Sequence, residues 1–367
     1  MNRVKSVNRV FLATVLISIL GSFINTWILA YMDNYFLVLL VSQIILIIPS
    51  LVYLITRKVN IVQAIRLHKI KISNVILIVI FSYLITPLMN LINAISMLYV
   101  QNDTTNFMNN IVTNNGLLLS LIMVALIPCI FEESVYRGIF YNEYSKVNPL
   151  KAIFLSGFLF GIIHGNINQF SYAFAMGIVF ALLIEATDSI LSTMIVHFFI
   201  NGTSVLVMAV YPKLFKLLET LYGPEQYNAE KLIESINSGL TDNMDLGYVI
   251  QSYGLMAVIA TVLAFIVFRT IAKNSGRWEH VKGIFTKNSA KGKDGNLQTE
   301  SYINYTQEGD ISLWDNSYEV PVKKVRLITV SLIVAIVICV TLMVINELYI
   351  PELPEQNMDN FYTILRK

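Results

Sequence analysis

The stretch LLLSLIMVALIPCIFEESVYRGIF, residues 117–140, sets two adjacent carboxylates and an arginine on the end of an apolar run. If a membrane span ended at Ile130, then Glu132, Glu133 and Arg137 would mark its exit into water. The next turn-forming dipeptide, however, is Asn148-Pro149. Between them, SVYRGIFYNEY is rich in aromatics and compatible with continued helix. A hairpin turning at Pro149 then puts Glu132 and His164 each roughly 22–25 Å from the turn, at a rise of about 1.5 Å per residue. The carboxylate and the imidazole are matched in depth, so the charges belong inside the span.

Helical phase separates the two glutamates. Glu133 and Arg137 are four apart and share a face, with the acid on the favourable N-terminal side. Glu132 is rotated about 100° from Glu133. Arg137 can neutralise Glu133, which leaves Glu132 free to point elsewhere. Pro128, one turn earlier, removes a backbone hydrogen bond and predicts a kink there.

Outward from this stretch the whole chain reads as membrane protein. Of its 367 residues 55% are hydrophobic and 14% charged, which excludes an ordinary soluble domain. Apolar runs of about 20 residues recur, the length that crosses a bilayer core. Short alternating segments of the kind that build a membrane β-barrel are absent. The expected fold is an all-α, polytopic transmembrane helical bundle of about nine spans. They fall near 10–32, 36–56, 73–99, 115–145, 150–165, 169–187, 189–210, 247–269 and 325–346. The first is expected to be an uncleaved span, too long for a signal peptide's apolar region.

Lysine and arginine crowd the N-terminal arm, segment 57–71, the connector at 137–151 and the stretch after the eighth span, whereas 98–114 has neither. That alternation predicts a cytoplasmic N-terminus and, with nine spans, an external C-terminus. Residues 211–246 are expected to be external, with room for a short amphipathic surface helix. Residues 270–324 are expected to be a cytoplasmic loop with a linker-like centre. The net charge of +2 says little, and no nucleic-acid partner is expected. Cys129 and Cys339 both lie in apolar segments without metal-ligand spacing, and read as small buried hydrophobes.

Ionisable groups inside spans are costly and face protein-lined cavities, where they pair or do chemistry. Phe160 and His164, and then His197 and Asn201, each sit at i, i+4 on successive helices. A lone intramembrane histidine or asparagine is ordinarily an interhelical hydrogen-bonding group. Glu185 and Asp188 read as interfacial loop charges, and His68 and His280, in polar connectors, carry no message. The functional case rests on the combination of Glu132, His164, His197 and Asn201 in apolar surroundings. A transporter is disfavoured because no inverted repeat or matched broken helices appear.

These residues carry a resemblance. EESVYR (Glu132 to Arg137), FGIIH (Phe160 to His164) and HFFIN (His197 to Asn201) resemble the EExxxR, FxxxH and HxxxN motifs of the CAAX-protease and bacteriocin-processing family. These are intramembrane endopeptidases related to type II CAAX prenyl proteases. The resemblance covers roughly 115–210 and implies a catalytic core there. Residues 1–114 would be N-terminal transmembrane helices, 211–246 an external loop, 247–269 the eighth span, 270–324 the cytoplasmic loop, and 325–367 the ninth span and tail.

The resemblance implies an intramembrane endopeptidase hydrolysing a peptide bond in a membrane-associated protein or peptide. Glu132 would be the general base, His164 would help hold and activate water, and His197 and Asn201 would stabilise the oxyanion. Glu133, Arg137 and Phe160 would brace the site. The expectation is that no cofactor is needed. The alternative is zinc held by Glu132, His164 and His197, for which no HExxH motif is present. A second alternative is a non-catalytic membrane scaffold or a bacteriocin self-immunity protein on the same fold. The composition, rich in Ile, Asn and Lys, suits a bacterial plasma membrane.

Overall fold

The structure is a computed structural model that describes residues 3–100, 104–224, 226, 228, 245–286 and 326–349. The middle of the expected external loop, most of the expected cytoplasmic loop and the C-terminal tail lie outside the described residues. The chain opens with α1 (Arg3–Met32), α2 (Tyr35–Thr56), a one-turn α3 (Ile61–Ala64) and α4 (Ile72–Met97). There follows α5 (Thr104–Ser120), then a π-helical stretch (Leu121–Leu126), α6 (Ile127–Glu133), a second π-helical stretch (Ser134–Tyr141) and α7 (Asn142–Ser145). Next come α8 (Pro149–Ile162), α9 (Ile167–Thr187) and α10 (Ile190–Tyr222). α11 (Leu246–Val249) runs through π-helical Ile250–Gly254 into α12 (Leu255–Asn274). Last are the short α13 (Trp278–Ile284) and α14 (Val330–Tyr349).

Among the described residues, eight helices are long and apolar enough to cross a membrane, and α8 is a shorter apolar ninth. Large apolar side chains such as Leu20, Phe23, Ile55 and Leu255 stand exposed on the outer faces, as lipid-facing residues do. The protein is an integral membrane helical bundle. Several helices differ in extent from the sequence reading, two of them most clearly. α1 starts at Arg3, and α10 continues through Pro212 to Tyr222, so part of the expected external segment is helix.

Local chemistry sets the turns. Asn148 caps α8 by accepting from Lys151 N at 2.8 Å, with Pro149 at the first helical position, where its missing N–H costs nothing. Asn166 caps α9 through Gln169 N in the same way. Between them the chain reverses at Gly165, whose φ of +67° favours glycine. α8 and α9 then pack so closely that a Cβ on Gly177 would stand 2.5 Å from Gly157 Cα. α9 is the shared wall of the molecule: its Tyr172 and Leu182 pack against both large apolar clusters. One cluster holds α1, α2, α8 and α14, and the other α4, α10 and α12.

Helix α14 is tied in from both ends. Asn8 Nδ2 donates to Leu327 O (2.8 Å) and Thr329 Oγ1 (2.9 Å), while Asn8 Oδ1 accepts from Tyr144 OH (2.6 Å). At the far end, Asn346 Nδ2 donates to Gly165 O at 3.2 Å. Both cysteines are free and buried, as their apolar surroundings suggested.

The reading of Glu185 and Asp188 as loop charges, and of His68 and His280 as silent, is corrected by the packing. Glu185 is buried at the C-terminal end of α9 and meets Arg66 Nη1 at 2.9 Å, Arg277 Nη2 at 3.6 Å and His280 Nε2. Asp188 meets Arg66 Nη1 at 3.6 Å and His68 Nδ1 at 3.2 Å. Arg66 further donates through Nε to Asn142 Oδ1 at 3.1 Å. This cluster ties the 57–71 connector, α9, α13 and the end of the charged helix together. Spacing along the chain could not reveal it, because its partners come from four separate segments. Removing one side of a buried ion pair strands the other, a loss of about 3–5 kcal/mol. Glu185→Ala is therefore expected to lower the thermal unfolding midpoint of the solubilised protein clearly, and Glu185→Gln to lower it less. An unchanged midpoint in Glu185→Ala would refute this account of the cluster.

Candidate active site

The site forms where α2, α6 with its π-helical continuation, the C-terminal end of α8, α9 and α10 meet. The π-helical turn Leu121–Leu126 ends two residues before Pro128, which has no N–H to give to the carbonyl of Val124. That orphaned carbonyl is taken by Asn201 Nδ2 at 3.1 Å. The expected irregularity at Pro128 is thus a widened turn, held from α10. Gly116 (φ +74°) interrupts α5 just upstream and lets the chain enter this helix at an angle.

Glu133 and Arg137 make the contact their spacing implied, Arg137 Nη1 to Glu133 Oε1 at 3.1 Å, with both side chains fully buried. The same carboxylate oxygen also accepts from His197 Nδ1 at 2.9 Å. That bond fixes the ring and leaves His197 Nε2 facing Glu132, 3.9 Å from Oε2. Glu132 retains 13% side-chain exposure where Glu133 has none, so the two neighbouring acids do point apart. Arg137 carries two buried nitrogens, Nε and Nη2, without hydrogen-bond partners among the described residues. Its guanidinium instead lies over the faces of Phe160 (4.2 Å) and Phe180 (4.9 Å).

Phe160 thereby acquires a physical task. Its face supports Arg137, and edge-on contacts join it to His164 (5.1 Å between centroids) and His197 (6.2 Å). His164 lies in the turn that ends α8 rather than within a span. Its Nδ1 faces the carbonyl oxygens of Phe160 (2.8 Å) and Gly161 (3.3 Å), so Nδ1 carries the proton and Nε2 is the open nitrogen. Among the described residues no hydrogen bond joins His164 directly to Glu132. What links them is Phe160, whose ring touches both His164 and His197, the latter facing Glu132.

Two residues of the site escaped the sequence reading. Gln43 of α2 donates through Nε2 to Glu132 Oε1 at 3.0 Å and is itself buried. A lone amide in the run FLVLLVSQIILIIP was the available sign, since a polar side chain in a span seeks a partner. Phe180, the second ring over Arg137, looked like ordinary core and gave no sign.

Among the described residues no group of three His, Cys, Asp or Glu side chains, Glu132, His164 and His197 included, is placed to hold a metal ion. Cys129 Sγ points back to Leu126 O at 3.1 Å.

Comparison with known proteins adds to this geometry. Residues 114–203 match the family model described as type II CAAX prenyl endopeptidase Rce1-like. A Bacillus subtilis (strain 168) protein described as "Putative membrane peptidase YdiL" is 32% identical over 95 residues, which is 26% of this chain and 38% of that protein. The chain thus spans well under half the length of the curated relative it matches. No solved structure matches the chain. Residues 114–203, which carry all of the site but Gln43, are thus the part of the chain that resembles the type II CAAX prenyl endopeptidase Rce1-like family.

Proposed function

We propose that the protein is an intramembrane endopeptidase that hydrolyses a peptide bond in a membrane-associated protein or peptide. The observation that carries this reading is the division of labour between adjacent carboxylates. Glu133 is consumed by Arg137 and His197, while Glu132 keeps an oxygen open toward His197 Nε2. A structural ion pair needs one acid; the second, partly exposed one is available for proton transfer.

In the proposed reaction Glu132 accepts a proton from water as the water oxygen attacks the scissile carbonyl carbon. His164 Nε2, left open by the bond at Nδ1, helps hold that water. The carbonyl oxygen gains negative charge and needs donors placed in advance. His197 can supply one through Nε2–H as an imidazolium. Glu133 on the other ring nitrogen supports that charge, and the cation balances two carboxylates against a single guanidinium. Asn201 can supply a second, because one Nδ2 hydrogen goes to Val124 O and the other remains. Collapse of the tetrahedral intermediate breaks the C–N bond, and the proton on Glu132 passes to the leaving nitrogen. No nucleophilic side chain is required.

The metal-free route is preferred because Glu132, His164 and His197 are not grouped to hold a metal ion among the described residues, so no step is assigned to zinc. The cytoplasmic N-terminus and a bacterial plasma membrane remain part of this proposal, on the lysine and arginine distribution. A non-catalytic scaffold or immunity role on the same fold is the competing reading. It does not account for an acid left partly exposed beside an ordered imidazole.

Comparative proteomics of membranes carrying wild-type, Glu132→Gln or His164→Ala protein tests the choice. Peptide ends present with wild type should fall at least about 100-fold with Glu132→Gln and about 10-fold or more with His164→Ala. Identical ends in all three membranes would sink the peptidase reading. Exhaustive chelation is expected to leave Glu132-dependent cleavage within about twofold of the untreated rate, whereas loss of a catalytic metal would cost orders of magnitude. Loss restored by added zinc would replace the metal-free route.

A further inference from the structure

We infer that Gln43 is a positioning residue for this reaction: its Nε2–H holds Glu132 Oε1 and thereby reserves Oε2 as the oxygen that meets water. The inference deepens the peptidase reading and rests on it. Gln43 stands on α2, outside the 114–203 segment that matches the family model.

Three observations support it. The contact is 3.0 Å long and nearly dry, with Gln43 only 6% exposed. Its direction is fixed by chemistry, because a flipped amide would set a carbonyl oxygen against a carboxylate. The other end of the amide, Gln43 Oε1, is buried and has no hydrogen-bond partner among the described residues. Leaving a buried carbonyl unpaired is unfavourable, so the side chain does not satisfy itself in this place. What offsets that cost is a charge-assisted bond to Glu132, stronger than an ordinary amide bond.

Packing alone does not call for an amide there. Gln43 shares the buried stripe of α2 with Leu46, Ser50, Tyr53 and Leu54, and leucine has similar volume. A carboxylate tethered at one oxygen cannot swing away from its task, and small misplacements of a catalytic group are costly. Glu132 is thus oriented from α2, just as His197 is oriented by Glu133.

The test compares Gln43→Leu and Gln43→Glu in the full-length protein. It uses a peptide bearing a cleavage site defined by Glu132-dependent ends. Gln43→Leu is expected to lower kcat about 10-fold with KM within about twofold, as for loss of an interaction made to the reacting group. Gln43→Glu is expected to be poorer still at neutral pH and to recover as pH falls, when the new carboxyl is protonated and can again donate. An arm independent of activity reads the Glu132 carboxylate stretch as the infrared difference between proteins with and without Glu132→Gln. That band should move when Gln43→Leu is introduced.

An unmoved band overturns the inference. So does wild-type kcat in Gln43→Leu, or an equal loss in both variants at every pH. If the band moves while wild-type protein produces no Glu132-dependent ends, the contact stands and the peptidase reading has failed.

Discussion

One oxygen, Glu133 Oε1, organises the interior. It accepts from Arg137 Nη1 and from His197 Nδ1, and so joins α6 and its π-helical continuation to α10 in a fully buried place. An ionised carboxylate there is tolerable only because two charge-assisted donors meet it. Everything nearby follows from keeping that bond pair intact. Phe160 and Phe180 cover the guanidinium, and the fixed imidazole presents its second nitrogen to Glu132.

The backbone carries a matching device. Pro128 frees the Val124 carbonyl, the helix widens into a π turn, and Asn201 supplies the missing donor. Interrupted helix within a membrane is tolerated where neighbouring side chains restore the lost hydrogen bonds. α10 thus holds the charged helix twice, through His197 and through Asn201, one turn apart. The Arg66–Glu185–Arg277–His280 cluster fixes the far ends of these helices in a comparable way.

Much of this was legible in the sequence because it is local. The i, i+4 spacing of Glu133 and Arg137 is a helical neighbourhood, and Asn148-Pro149 is a cap followed by a favoured first residue. The long apolar runs give the bundle, since nothing else in the chain could bury them. The departures arise wherever two helices must be rotated against each other. His197 belongs with Glu133 as well as with Glu132, a fact that depends on the roll of α10. Gln43 reaches Glu132 only because α2 packs beside α6. Glu185 is buried because the 57–71 connector and α13 close over the end of α9. One-dimensional spacing holds no information on those rotations. The resemblance named Phe160 as part of the site, but only the rings around Arg137 explain it.

The central claim is that two neighbouring glutamates do different things, Glu133 holding the bundle and Glu132 serving the chemistry. Thermal unfolding of Glu132→Gln and Glu133→Gln proteins, measured side by side in one detergent, tests it without any knowledge of the substrate. Glu133→Gln strands a buried guanidinium and should lower the midpoint by several degrees, on a loss of about 3 kcal/mol. Glu132→Gln should stay within about two degrees of wild type, the scale of a change below 1 kcal/mol. Equal losses, or a larger loss for Glu132→Gln, would contradict the account.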